Sequence, residues 1–251
     1  MGRVIMSGIV PLLTKPSVGI LASDLAVGST VKLMEGGTAV EYLVVNQGIP
    51  SNSNLYDASC DGTWLLRKDI HSNRVWNASK NLSTYANSDI NTWLNGTFFS
   101  SFGKVEQATI QQVKLPYVTG GGSTAVNSGA KGLATKAFLL GAIEVGGNPS
   151  EWSGASMQRD GALISYFDLG TGTSANNKRI AYLAGTAKSW WLRTPETTYS
   201  SSVDYAFVIA PAGSIGSDGV NQYYEYGIRP AVIVPRNALF GESDGILKGV
   251  K

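Results

Sequence analysis

The chain has 251 residues, 43% of them hydrophobic and 15% charged, with 30 glycines. It is long enough to bury one substantial core, and its charge content lies well under the roughly 25% usual in soluble domains. A net charge of +2 without a basic cluster excludes phosphate-driven nucleic-acid binding, and a single cysteine excludes a disulfide framework and any multi-cysteine zinc site.

Residues 1–23 are apolar in pieces (Val4-Ile5-Met6, Ile9-Val10, Leu12-Leu13, Ile20-Leu21) but broken by Pro11, Lys15, Pro16 and Gly19. No run is long enough for a signal segment or a membrane span. The segment reads as an arm that packs on its own domain or on a neighbouring subunit. From Asp24 the pattern becomes regular. Leu25–Met34 and Val40–Val45 flank a Gly36-Gly37 turn and predict a β-hairpin. Thr63–Lys68 is a further short strand and Arg74–Asn77 a partner or bend. Cys60 reads as a small buried hydrophobe.

Ser88 caps a helix that carries Ile90, Trp93 and Leu94 on one face and ends at Gly96. A second helix is expected over Gly103–Val113, with Val105, Ile110 and Val113 inward. Thr119–Gly132 is Gly/Ser-rich and reads as an exposed loop. Ala137–Leu140 suits a core strand or a buried helical turn, Ala162–Phe167 a buried element of open type, and Asn176–Ala184 a short helix.

The last third holds three apolar runs bounded by Pro or Gly, Trp190–Leu192, Ala206–Ala210 and Ile228–Val234, which suit buried strands. Between them lie Glu196–Tyr205 and Ser217–Tyr226, built from Tyr, Ser, Thr, Asn and Gly. Rigid aromatic plates beside small polar groups make contact surfaces at low entropic cost. The same composition also suits plain solvated turns. Tyr199, Tyr205, Asp218, Asn221, Gln222, Tyr223 and Tyr224 are the candidate ligand-binding residues, and Tyr226 is expected to join the core.

Catalytic signals are weak. The only histidine, His71, sits in a polar stretch with no nucleophile elbow near it, and reads as a solvated loop residue. Gly120-Gly121-Gly122 lacks phosphate-loop spacing. Glu196, Asp204, Asp218 and Glu225 have no EF-hand spacing, so no metal or other cofactor is expected, although loop acids leave a calcium ion open.

Trp190-Trp191-Leu192-Arg193-Thr194-Pro195 and Gly227-Ile228-Arg229-Pro230-Ala231 carry a resemblance. The chain resembles a family of uncharacterised domains, common in Gram-positive bacteria and their phages, that close with W-W-L-R-[ST]-P and G-[IV]-R-P-A. Upstream matches at Thr63–Lys68, Tyr85–Asn95 and Lys178–Tyr182 extend it over Asp24 to Pro235. The closing pattern is also similar to C-type-lectin-like domains of the formylglycine-generating-enzyme type. This resemblance implies an α+β, lectin-like domain of short strands, two or three short helices and long loops, with Trp190, Trp191, Arg193 and Arg229 structural. The oxidase branch of that fold holds copper on paired cysteines, which one Cys60 cannot supply. The expected organisation is an anchoring arm at 1–23, the domain at 24–235 and a polar tail at 236–251. The function expected is a non-enzymatic phage virion protein, a tail-fibre or baseplate adhesin that contacts a host-surface glycan or protein. It would attach to other virion subunits through residues 1–20, in multiple copies, with no nucleic-acid or membrane partner. A capsid or tail decoration protein is the alternative.

Overall fold

The computed structural model describes residues 19–51, 54–78, 84–120, 123–152, 157–196, 205–220 and 224–251. Its centre is an antiparallel five-stranded sheet in the order Ala137–Phe138, Ala231–Val234, Thr63–Arg67, Thr38–Gln47, Thr30–Glu35. The outer hairpin is where the sequence places it. Glu35 pairs with Thr38 across Gly36 and Gly37, whose φ angles of 54° and 82° are the left-handed pair a two-residue turn requires.

Both faces of this sheet are covered. Val44, Leu65, Val232 and Val234 pack into one cluster with Tyr42, Trp191 and Ile228. Their neighbours Leu43, Val45, Trp64, Leu66, Ala231 and Ile233 pack into another with Phe138, Trp190 and Leu192. A strand buried on both sides needs a continuous apolar run instead of alternation, which is why these segments read so strongly. Each large side chain sealed here contributes about 1.5–3 kcal/mol.

A second five-stranded sheet carries the terminal strands in the order Ile215–Gly219, Tyr205–Ile209, Trp190–Glu196, Tyr226–Gly227, Asn73–Arg74. Trp190 pairs with Ile209 and Trp191 with Val208, but the next pairs are Pro195 with Ala206 and Glu196 with Tyr205. The bulge at 192–194 accommodates Pro195, which cannot donate to a ladder. Arg193 and Thr194, which fall within the bulge, are both buried.

The α+β, lectin-like expectation is corrected: strands dominate, arranged in several small and mainly antiparallel sheets, with little helix. Among the described residues the longest α-helix, Thr173–Arg179, has seven residues. Two misreadings account for this. The Gly/Ser-rich stretch at 119–132 is not simply a loop, because Tyr117–Gly120 and Ser123–Asn127 pair as a hairpin. Backbone ladders form there with few apolar side chains to announce them. The polar tail is not a tail either. Ala238–Gly241 pairs with both Gly19–Leu21 and Leu247–Val250, with Ala238, Phe240 and Leu247 buried. The end of the expected arm and the expected tail thus form one three-stranded sheet.

Helix ends differ too. The Ser88 hydroxyl accepts the Asn91 amide at 3.2 Å, as its capping role requires. Gly96 does not stop the chain, which widens into a π-turn over Leu94–Phe98. The next helix covers only Lys104–Thr109, and Val105 is 43% exposed instead of inward. The helix expected at 176–184 begins at Thr173 and ends at Arg179. Among the described residues no helix is long and apolar enough to cross a membrane.

Candidate binding face and its buried support

At one end of the terminal sheet Tyr205 pairs with Glu196 on one side and Gly219 on the other. Met157 bridges to Glu196, and the Asn77 amide donates to the Val220 carbonyl at 2.9 Å. Four stretches of chain far apart in sequence therefore meet at this end. Across the sheet the Tyr226 hydroxyl donates a short hydrogen bond to the Asp218 carboxylate. Burial and then that carboxylate push the Tyr226 hydroxyl well above its ordinary pKa, so it stays a donor. Its ring packs on Trp191 at 4.9 Å and stacks at 6.3 Å with Tyr224, which is 43% exposed. The result is an aromatic ridge anchored in the core and open to solvent at its outer ring.

Of the candidate binding residues, Tyr205, Asp218 and Tyr224 lie in the described part, and Tyr199, Asn221, Gln222 and Tyr223 lie outside the described residues, as does Asp204. The fold brings Asp218 and Tyr224 together through Tyr226, and sets Tyr205 one register position from Asp218. Tyr226 is partly buried against the core.

Trp190, Trp191, Arg193 and Arg229 are all buried. Arg193 grips Glu144 with both ends of its fork, Nη1 to Oε2 at 2.6 Å and Nη2 to Oε1 at 2.7 Å, with both side chains fully enclosed. It also donates to the carbonyls of Leu139, Asp160 and Pro116. Glu144 accepts in addition from the Tyr56 hydroxyl at 2.8 Å and the Gly141 amide at 2.8 Å. Burial alone would lower the Arg193 pKa, but Glu144 and Asp160 overcome it and hold the guanidinium charged. Asp160 accepts from Thr194 Oγ1 at 2.8 Å, while its Oδ2 has no hydrogen-bond partner. This is an internal lock, closed to any ligand. Arg229 donates to the Arg67 carbonyl at 2.9 Å and lies 5.2 Å from the Trp190 ring, with burial lowering its pKa to about 10.

His71 is not a solvated loop residue. Its ring meets Trp93 at 5.2 Å and Phe98 at 5.3 Å edge-on, and burial, aided by Arg67 and Arg74, lowers its pKa to about 4. The imidazole is held neutral, wedged between two rings, with Nδ1 against Ser72 Oγ at 2.9 Å. Cys60 is sealed, its thiol pushed up to about 12 by burial. Among the described residues no three His, Cys, Asp or Glu side chains are grouped to hold a metal.

His71 and Asp160 set opposed pH responses. The folded His71 pKa of about 4 lies below its ordinary 6.5, so its contribution is present above pH 6.5 and lost as pH falls through 4. Burial raises Asp160 from 3.8 to about 6, so its contribution is present below 3.8 and lost as pH rises through 6. Urea unfolding of His71→Phe and Asp160→Asn across pH 4–7 separates them. His71→Phe should remove an acid sensitivity on the order of 1–2 kcal/mol, after screening of the half-buried ring. Asp160→Asn should remove a stabilisation on acidification on the order of 2 kcal/mol. Parallel pH curves for wild type and both variants would contradict the two assignments.

Sequence reasoning missed Glu144 and Asp160, since nothing local links them to Arg193, 49 and 33 positions away. It also missed Arg74, whose guanidinium lies 4.1 Å over the Trp93 ring. The apolar setting of Arg193 in its motif was the one usable signal for the lock.

No curated protein and no solved structure matches the chain. One family model does, over residues 61–236, which takes in both ends of the terminal sheet, Arg193 and Glu144. The chain belongs to the family described as the domain of unknown function DUF6273.

Proposed function

We propose that this chain is a non-enzymatic phage virion protein, an adhesin of the tail-fibre or baseplate type, that contacts a host-surface glycan or protein with its terminal sheet. The observation that carries the reading is the ridge Asp218–Tyr226–Tyr224, rooted on Trp191 and exposed at Tyr224. It sits on a sheet whose connecting stretches are rich in Tyr, Ser, Thr and Asn. Such a surface presents aromatic area already held in place, which lowers the ordering cost of binding. Residues 1–20 are the proposed attachment to other virion subunits, in multiple copies on the extracellular particle. The last two of them, Gly19 and Ile20, belong to the strand Gly19–Leu21, on a different sheet from the ridge.

Tyr224→Ala should weaken adsorption of the purified chain to host cells about tenfold, the loss of roughly 1.4 kcal/mol, with little change in Tm because the ring is exposed. Undiminished adsorption would remove the ridge from the mechanism.

One observation favours a second reading, a capsid or tail decoration protein. An apolar groove runs between the helix Lys104–Thr109 and the strand Leu247–Val250, with Val105 43% and Val250 57% exposed. Such a groove suits a subunit contact. Particle attachment without any binding to cells or cell walls favours this second role.

A further inference from the structure

We propose that the cleft between the helix Asp89–Trp93 and the edge strand Asn73–Arg74 binds an uncharged saccharide. The inference rests on the adhesin reading and names a ligand class and a place for it. The cleft measures about 260 Å³ and is lined by Asn73, Arg74, Val75, Asp89, Trp93 and Glu225, among others. That is below the roughly 300–1,000 Å³ of drug-sized sites, so it suits a ligand of one or two rings.

Its chemistry is unusually mixed for so small a space. The Arg74 guanidinium lies flat on Trp93, 4.1 Å from the ring centre, and Trp93 is itself wedged against His71 at 5.2 Å and Phe98 at 5.5 Å. Arg74 is thus held in one plane, and no hydrogen bond or ion pair ties its side chain to a described residue. Asp89 offers a carboxylate whose Oδ2 accepts from the Ala78 amide at 2.8 Å. Glu225 adds a second carboxylate and Asn73 an amide that both donates and accepts.

One guanidinium against two carboxylates leaves the lining with a net charge of −1, which disfavours phosphate and carboxylate ligands. A group offering donors and acceptors on adjacent atoms satisfies all of these side chains at once, and vicinal hydroxyls on a sugar ring do so. The floor is fixed from behind. Trp191 Nε1 donates to the Arg74 carbonyl at 2.9 Å, and Arg74 pairs in register with Tyr226, so the cleft borders the ridge described above. Little ordering remains for binding to demand.

The test is an NMR titration of the full chain with chitotetraose and maltotetraose, each at millimolar concentration, and with hyaluronan tetrasaccharide as the anionic control. The Trp93 indole N–H and the Arg74 Nε–H are the reporters. Saturable shifts with at least one neutral sugar, weakened about tenfold in Arg74→Met, are expected, that factor being about 1.4 kcal/mol. Glu225→Ala should weaken the same sugar, and both positions are exposed, so the variants should keep the wild-type Tm. No saturable shift with either neutral sugar, a preference for hyaluronan, or undiminished binding in Arg74→Met would overturn the proposal. Cell adsorption is scored separately. Adsorption lost in Tyr224→Ala with no neutral-sugar shift rejects the saccharide cleft and leaves the adhesin. Sugar binding lost in Arg74→Met in a chain that adsorbs to no cell keeps the cleft and rejects the adhesin.

Discussion

Replacing Arg193 with Met is expected to lower the unfolding free energy by about 3–5 kcal/mol, the cost of leaving one partner of a buried ion pair uncompensated. Met retains most of the stem volume, so packing is not the main loss. The loss is electrostatic: among the described residues Glu144 would keep the Tyr56 hydroxyl and the Gly141 amide as donors, on a side chain that is fully enclosed. The carbonyls of Leu139, Asp160 and Pro116 would lose their guanidinium donor as well. The companion variant Arg193→Met/Glu144→Gln removes the orphaned charge and should recover part of the deficit. Urea unfolding of both variants measures it. A single-variant loss under about 1 kcal/mol, the range of exposed pairs, would mean that the lock is not closed to solvent.

The second large effect is expected at Arg179. Its guanidinium donates to the carbonyls of Gly213 at 2.8 Å, Val145 at 3.0 Å and Gly170 at 2.8 Å, and to Asn176 Oδ1 at 2.7 Å. No carboxylate of the described residues pairs with it, so it works as a four-way tie between separate loops. Backbone at this tie is crowded: Gly146 and Gly213 have φ of 90° and 83°, and a Cβ on either would sit 2.0 Å from a carbonyl oxygen, of Asp168 and Asn176 respectively. Arg179→Leu would strand three carbonyls at about 1–3 kcal/mol each if fully buried, and relaxation toward solvent should bring the total to roughly 3 kcal/mol. For a chain of this size that lowers Tm by about 6–12 °C. Arg179→Lys should recover little, because a compact ammonium cannot span acceptors spaced for a planar fork. A Tm within a degree or two of wild type for both variants would contradict the tie.

These two arginines show what could be read in advance. The short apolar runs at Trp190–Leu192 and Ile228–Val234 announced themselves because strands buried on both faces carry no polar alternation. Gly36-Gly37 and Ser88 were legible for local reasons, a left-handed turn and a helix cap. The motif arginines were readable as structural from their apolar neighbours, but their partners were not. Glu144 meets Arg193 across 49 positions of sequence, and no sequence period encodes such a meeting. The same limit applied to His71, whose polar neighbours in sequence hid the two rings that enclose it in space. At the candidate face, residue type was informative and location was not. Tyr224 and Asp218 were singled out by composition, yet Tyr226 joins them, and Arg74 and Trp93 lie about 150 and 130 positions upstream. The strands in the tail were missed because Leu247–Val250 is too short and mixed to stand out from a loop.

What most directly tests the division between a rigid interior and an outward contact surface is an adsorption isotherm of the purified chain on host cells, wild type against Tyr223→Ala/Tyr224→Ala. Saturable adsorption by wild type, weakened tenfold or more in the double variant at an unchanged Tm, is expected, tenfold corresponding to about 1.4 kcal/mol. Superimposable isotherms for two equally stable chains, or no adsorption by wild type to any cell tested, would contradict it.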